Sequence, residues 1–207
     1  MTDFPKEIPV ENIIVCEDKN EVILQANGES YTVTNSDFVS LGVGGCVDLE
    51  KLTFAAEKLS CIKKAENYLS YNDLSKRKLR EKLKKHFGDE VIEAVISLLE
   101  DKGYINDQSL SERLAVNLAE KRRFGKARIK AFLYEKGFST EDIKSALDSV
   151  DEEKLTENLE YLIRTEGRKY NLSDRKSKAK FINYLYRLGY SWDEIKHALN
   201  EYSPDEE

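Results

Sequence analysis

Two hydrophobic periods divide the chain. Over residues 10–35, short apolar and β-branched runs alternate with polar breaks, as half-buried strands do. Asn12-Ile13-Ile14-Val15-Cys16, Glu21-Val22-Ile23-Leu24-Gln25 and Ser30-Tyr31-Thr32-Val33-Thr34 are the predicted strands. Asn27-Gly28 between the last two signals a tight hairpin, so a three-strand meander is expected. Residues 36–50, through Leu41-Gly42-Val43-Gly44-Gly45, read as a plain turn. That glycine run lacks the endings and spacing of nucleotide-binding loops.

From about residue 50 the period lengthens to three and four. Leu52, Ala55, Ala56, Leu59, Ile62, Ala65, Tyr68 and Leu69 predict one long helix. Asn72-Asp73-Leu74-Ser75 follows, with Ser75 as the expected cap of a helix through Leu79 and Leu83. After the break at His86-Phe87-Gly88-Asp89, the residues Val91, Ile92, Val95, Ile96 and Leu99 predict a third helix that stops at Gly103.

The same pattern returns twice. Ile129, Leu133, Gly137, Phe138, Ser139, Asp142, Ile143 and Leu147 match Phe181, Leu185, Gly189, Tyr190, Ser191, Glu194, Ile195 and Leu199, 52 positions later. Leu79, Leu83, Phe87, Ile92 and Ile96 match 50 or 51 positions earlier. Ser139 with Asp142, and Ser191 with Glu194, have the spacing of capping boxes. A repeat of this length implies a supersecondary unit that buries its apolar face by stacking. The expected fold is mainly α: three tandem three-helix repeats forming an elongated curved array, behind a small N-terminal β-rich unit. The expected boundaries are 1–50 for the β-rich unit, 51–107, 108–150 and 151–202 for the repeats, and 203–207 for an acidic tail.

Charge changes this picture more than composition does. The chain carries a net charge of −6, but unevenly. Residues 1–60 hold four basic and eleven acidic side chains; residues 76–85 hold seven basic and one acidic; residues 121–130 hold six basic and none acidic. The basic positions Lys76, Arg77, Arg80, then Lys121, Arg122, Arg123, Lys126, Arg128, Lys130, then Arg175, Lys176, Lys178 and Lys180 recur at corresponding places in the three repeats. They are the candidate contacts for an anionic partner, either DNA or a protein filament with acidic grooves. The competing reading is an ordinary charged helix face, paired with acids a turn away. The aromatics Phe87, Tyr104, Phe124, Phe138, Phe181, Tyr184 and Tyr190 are expected to pack between helices. Phe124 and Tyr134 are the candidates for stacking on bases.

Catalytic and cofactor chemistry finds no support in the residue pattern. Cys16, Cys46 and Cys61 are far apart and expected to stay reduced; His86 and His197 have no partner at a metal-ligand spacing. No metal or cofactor is expected, and the chain reads as a non-enzyme. No eighteen-residue apolar run predicts a membrane span, and Met1-Thr2-Asp3-Phe4-Pro5 does not resemble a signal peptide, so a cytoplasmic place is expected.

The order of motifs carries a family resemblance. Ala65-x-x-Tyr68-Leu69-Ser70 precedes Ser75-Lys76-x-x-Leu79-x-x-Lys82-Leu83, then Lys102-Gly103-Tyr104-Ile105-Asn106-Asp107, then Gly125-x-x-Arg128-Ile129-x-x-x-Leu133-x-x-Lys136-Gly137, and Leu188-Gly189-Tyr190-Ser191 closes the set. Over roughly residues 60–202 this resembles the RecX family, modulators of the bacterial recombinase RecA. The resemblance implies a regulator that lies in the groove of the RecA–DNA filament and restrains strand exchange, ATP hydrolysis and co-protease activity. The implied partners are that filament and single- or double-stranded DNA, with no membrane, and a monomer is expected. A free-standing DNA-binding protein and a helical scaffold for another partner remain the alternatives.

Overall fold

The computed structural model describes residues 7–201; the expected acidic tail at 203–207 lies outside them. Ten α-helices and a four-stranded antiparallel sheet make up the described residues. Contacts divide the chain into two compact units. One runs up to Leu74 and includes Leu79–Ile105; the other joins Ser75–Lys78 to the chain from Asn106 onward.

In the first unit the sheet order is β3-β2-β1-β4, with β1 at Glu7–Cys16, β2 at Glu21–Ala26, β3 at Glu29–Thr34 and β4 at Cys46–Asp48. The meander is as expected, and Asn27 and Gly28 both take the positive φ of the tight hairpin. The expected plain turn at 36–50 is corrected. A short helix, α1, spans Asn35–Leu41 and a fourth strand follows it. Thr34 caps α1 by accepting the Asp37 N–H at 3.0 Å, a signal present in the sequence but masked by the glycines beyond it. No local pattern marks β4, because its three residues become a strand only by pairing with Glu7–Pro9.

Helix α2, Leu49–Tyr71, serves two cores. Its start buries Leu52 and Ala55 with Ile8, Val22, Leu24, Ala26, Val33 and Val47 of the sheet. Its second half buries Cys61 and Ala65 against Leu79 and Leu83 of α3 (Lys76–Leu83) and Val91, Ile92, Val95, Ile96 and Leu99 of α4 (Asp89–Asp101). Ion pairs of Lys58 with Asp37 at 2.9 Å and Lys63 with Glu21 at 2.7 Å tie α2 to the β-rich part.

The second unit contains α5 (Asp107–Arg122), α6 (Lys126–Lys136), α7 (Thr140–Asp148), α8 (Glu152–Glu166), α9 (Arg175–Arg187) and α10 (Trp192–Glu201). One core gathers Ala115, Ala119, Ile129, Leu133, Phe138, Ile143 and Ala146; the other gathers Leu159, Leu162, Ile163, Phe181, Leu185, Tyr190 and Ile195. The apolar repeat positions are thus buried, apart from the half-buried Phe87, Leu147 and Leu199. Both expected capping boxes form, at Ser139–Asp142 and Ser191–Glu194.

Candidate interface on the basic helices

The basic helices are held by a joint that occurs twice in the second unit. Ser75, at the start of α3, is buried and donates its hydroxyl to the Lys136 carbonyl at 2.6 Å. Fifty positions on, Gly125 at the start of α6 donates its N–H to the Leu188 carbonyl at 2.7 Å. Lys136 and Leu188 occupy the same repeat position, each just before a left-handed glycine, Gly137 or Gly189. So the start of each basic helix sits on the glycine turn that follows the corresponding helix one repeat later. At the second joint the backbones nearly touch: a Cβ on Gly125 would lie 2.5 Å from the Gly189 carbonyl oxygen. Only glycine fits there.

Side chains complete both joints. Asp107 is buried and accepts the Lys76 N–H at 2.9 Å, capping α3 from a distance of 31 residues. Its neighbour Asn106 caps its own helix, accepting from the Ser109 N–H at 2.8 Å. The Ile105-Asn106-Asp107 run is therefore two caps and a core residue side by side. At the second joint, the buried Tyr190 donates its hydroxyl to the Arg123 carbonyl at 3.0 Å. Asn158, also buried, donates to the Ala119 carbonyl at 3.0 Å. Burial raises the Tyr190 hydroxyl pKa well above its ordinary value, so it remains a donor throughout the physiological range.

The candidate cations fall into two groups. Several are engaged by acids or rings from other elements. Arg80 makes a two-pronged pair with Glu93, both bonds 2.7 Å, and that carboxylate raises its pKa further. Lys126 pairs with Glu152. The Arg123 guanidinium lies 4.1 Å from the Tyr161 ring centre, and Arg128 lies 5.7 Å from that of Phe124. Lys76 and Arg77 sit at the first joint, where Arg77 reaches the Tyr134 carbonyl at 3.4 Å. In the second group, Lys121, Arg122, Lys130, Arg175, Lys176, Lys178 and Lys180 are solvent-exposed, as is Arg128. Helix α9 carries five basic residues and no acidic one.

The aromatics divide as well. Phe138, Phe181 and Tyr190 are core residues and Phe87, Phe124 and Tyr184 are half-buried, as expected for packing. Tyr104 is not: it is exposed beside Gly103. Tyr134 is 66% exposed, and Tyr186, 52 positions later, is 45% exposed. Tyr186 is not among the stacking candidates that the sequence offers. The signal was available, since Lys126-Ala127-Arg128 and Leu133-Tyr134 return as Lys178-Ala179-Lys180 and Leu185-Tyr186. Each exposed basic helix thus ends in an exposed tyrosine that the core does not need.

Two family models match the chain: the first three-helix domain of RecX at residues 61–99 and the third at 152–199. A regulatory protein RecX from Clostridioides difficile is 34% identical over 139 residues, covering 67% of this chain and 66% of that one. The Clostridium tetani RecX is 28% identical over 197 residues, 88% of each chain. A Bacillus cereus RecX is 30% identical over 157 residues, 58% of its length. The crystal structure of a regulatory protein RecX superposes with a TM-score of 0.77 at 19% identity, over 94% of this chain and all of that one. RecX from Lactobacillus salivarius gives 0.64 at 24% identity, over 70% and 95%. The last two comparisons share only the fold; the two family models and the 34% identity to the Clostridioides difficile protein show that the chain belongs to the RecX family of regulatory proteins.

Proposed function

We propose that this chain is a non-enzymatic, cytoplasmic, monomeric regulator that binds the RecA–DNA filament and restrains strand exchange, ATP hydrolysis and co-protease function. The contacts are the candidate cations Lys76, Arg77, Arg80, Lys121, Arg122, Arg123, Lys126, Arg128, Lys130, Arg175, Lys176, Lys178 and Lys180, and the three repeats act as successive contact modules. Among these the exposed residues of α5, α6 and α9 dominate, because the paired ones must first give up a partner. The observation that carries the reading is α9: five cations, no acid and an exposed tyrosine, on a helix whose buried face already satisfies the fold. Such a face gains nothing from the protein's own core. It suits a regular anionic surface, where each neutralised charge releases counterions. A module held across neighbouring recombinase protomers would oppose changes in their spacing; the alternative is that it caps the growing end.

The test is a titration of DNA-dependent ATP hydrolysis by the recombinase. The triple variant Lys176→Glu/Lys178→Glu/Lys180→Glu is expected to weaken inhibition by about tenfold or more, with a shallower dependence on salt. Inhibition equal to that of the unaltered chain removes α9 from the mechanism. Tyr134 and Tyr186 favour a second reading, a free-standing binder of single-stranded DNA. Equal affinity for bare DNA and recombinase-coated DNA over a salt series would select it over the first.

A further inference from the structure

We propose that the open edge of β1 takes up an extended segment of the filament's protein coat, aliphatic at its centre and basic at its flanks, as a fifth strand of the sheet. This rests on the filament reading and gives it a second surface, remote in sequence from the basic helices. β4 pairs only with Glu7–Pro9, so on that side residues 12–16 of β1 have no neighbouring strand among the described residues. Ile13, Ile14 and Val15 there are 42%, 44% and 55% exposed. Ile13 and Val15 lie directly across from Leu24 and Val22, both fully buried, and so share the inner face of the sheet. The covering helix α2 packs on β3 at the far side and on β4, which reaches only Glu7–Pro9 of β1. The buried apolar row therefore runs out to β1 and ends in water.

Proteins blunt such an edge with lysine, proline or a bulge. Here a bulge precedes Asn12, whose side chain accepts the Ile13 N–H at 2.9 Å, and Ile14–Cys16 beyond it hold no lysine, proline or bulge. A strand added at this edge meets main-chain groups for affinity and the Ile13 and Val15 side chains for selectivity. Charge chooses the occupant. Glu11 stands before the apolar run and Glu17 and Asp18 after it. A second copy pairing antiparallel about Ile14 would set Glu11 opposite Glu17 of its mate, with Asp18 next to it, which like-charge repulsion opposes. A strand with lysine or arginine at its flanks meets the opposite sign at both ends.

Hydrogen exchange on the full chain, with and without recombinase-coated single-stranded DNA, tests this. The amides of residues 12–16 should slow by about tenfold or more on the filament. The double variant Ile13→Lys/Val15→Lys alters two exposed positions and is expected to keep its circular dichroism spectrum. It should lose that protection and inhibit ATP hydrolysis about tenfold less well. Glu17→Lys/Asp18→Lys, which leaves the apolar run intact, should weaken inhibition in the same direction. Unchanged exchange at 12–16 while the unaltered chain inhibits would overturn the strand inference and leave the filament reading standing. No inhibition by the unaltered chain would sink both. Concentration-dependent protection without the filament, with a dimer in sedimentation, would assign the edge to a second copy and overturn the proposal.

Discussion

Arg123 ends α5 at a φ of 52°, where a residue with a Cβ is rarely found. Three contacts hold it there: its N–H donates to the Ala119 carbonyl, its carbonyl accepts from Tyr190, and its guanidinium lies on Tyr161. Tyr190→Phe should therefore cost about 1 kcal/mol in denaturant unfolding, the usual share of one hydrogen bond. The pH dependence has a definite sign. The folded-state pKa of Tyr190 is raised, chiefly by burial, so its contribution is whole below the unfolded value near 10 and is lost as pH rises beyond it. Between pH 8 and 11 the unaltered chain should lose more stability than Tyr190→Phe; parallel curves would refute the assignment. Glycines give a graded test. Gly103→Ala meets only the cost of a positive φ, about 1–2 kcal/mol, since no atom lies within 4 Å of its Cβ. Gly189→Ala adds a collision with the Arg128 backbone, and Gly125→Ala, at an ordinary φ, reports the collision alone. Melting temperatures should fall in all three and most for Gly189→Ala. Burial pushes the Cys61 thiol up to about 11, so an alkylating agent should modify Cys46 at least about tenfold faster than Cys61.

At the scale of elements, caps decide where helices begin. Ser139→Ala removes one half of the α7 capping box and should cost about 1 kcal/mol. Asp107→Ala should cost more, about 1–3 kcal/mol, because it leaves the buried start of α3 without its acceptor. Equal losses in the two variants would contradict the long-range cap. These cases also mark what could be read in advance. The Ser139–Asp142 spacing is local and was legible as residues. Asp107 was visible as part of a motif, but the helix it serves begins 31 residues earlier, and nothing in its neighbourhood announces that. The same holds for β4, which exists only through its partner, whereas α1 had a readable cap at Thr34 that the glycines after it obscured.

At the scale of the whole molecule, the net charge of −6 conceals a separation of sign. The β-rich part is acidic and the exposed faces of α6 and α9 are basic. The chain should be retained at neutral pH both by an anion exchanger and by heparin, and Lys176→Glu/Lys178→Glu/Lys180→Glu should abolish the second retention while leaving the first. Heparin retention that survives in this variant would show that cations outside α9 carry it.

The helix and strand periods, the threefold repeat, the buried positions and the local caps were written in the amino-acid order, because each depends on residues within one or two turns of one another. The tertiary structure alone decided which basic residues face water. The run at 76–85 looks almost acid-free along the chain, yet Arg80 finds Glu93 across a helix break, and Lys126 finds Glu152 from another helix. It also set Gly125 against Gly189, seated Arg123 on Tyr161 and left the β1 edge open. Those outcomes depend on which distant segments meet when the apolar faces are buried. No local periodicity encodes that meeting; it emerges only when the whole chain packs.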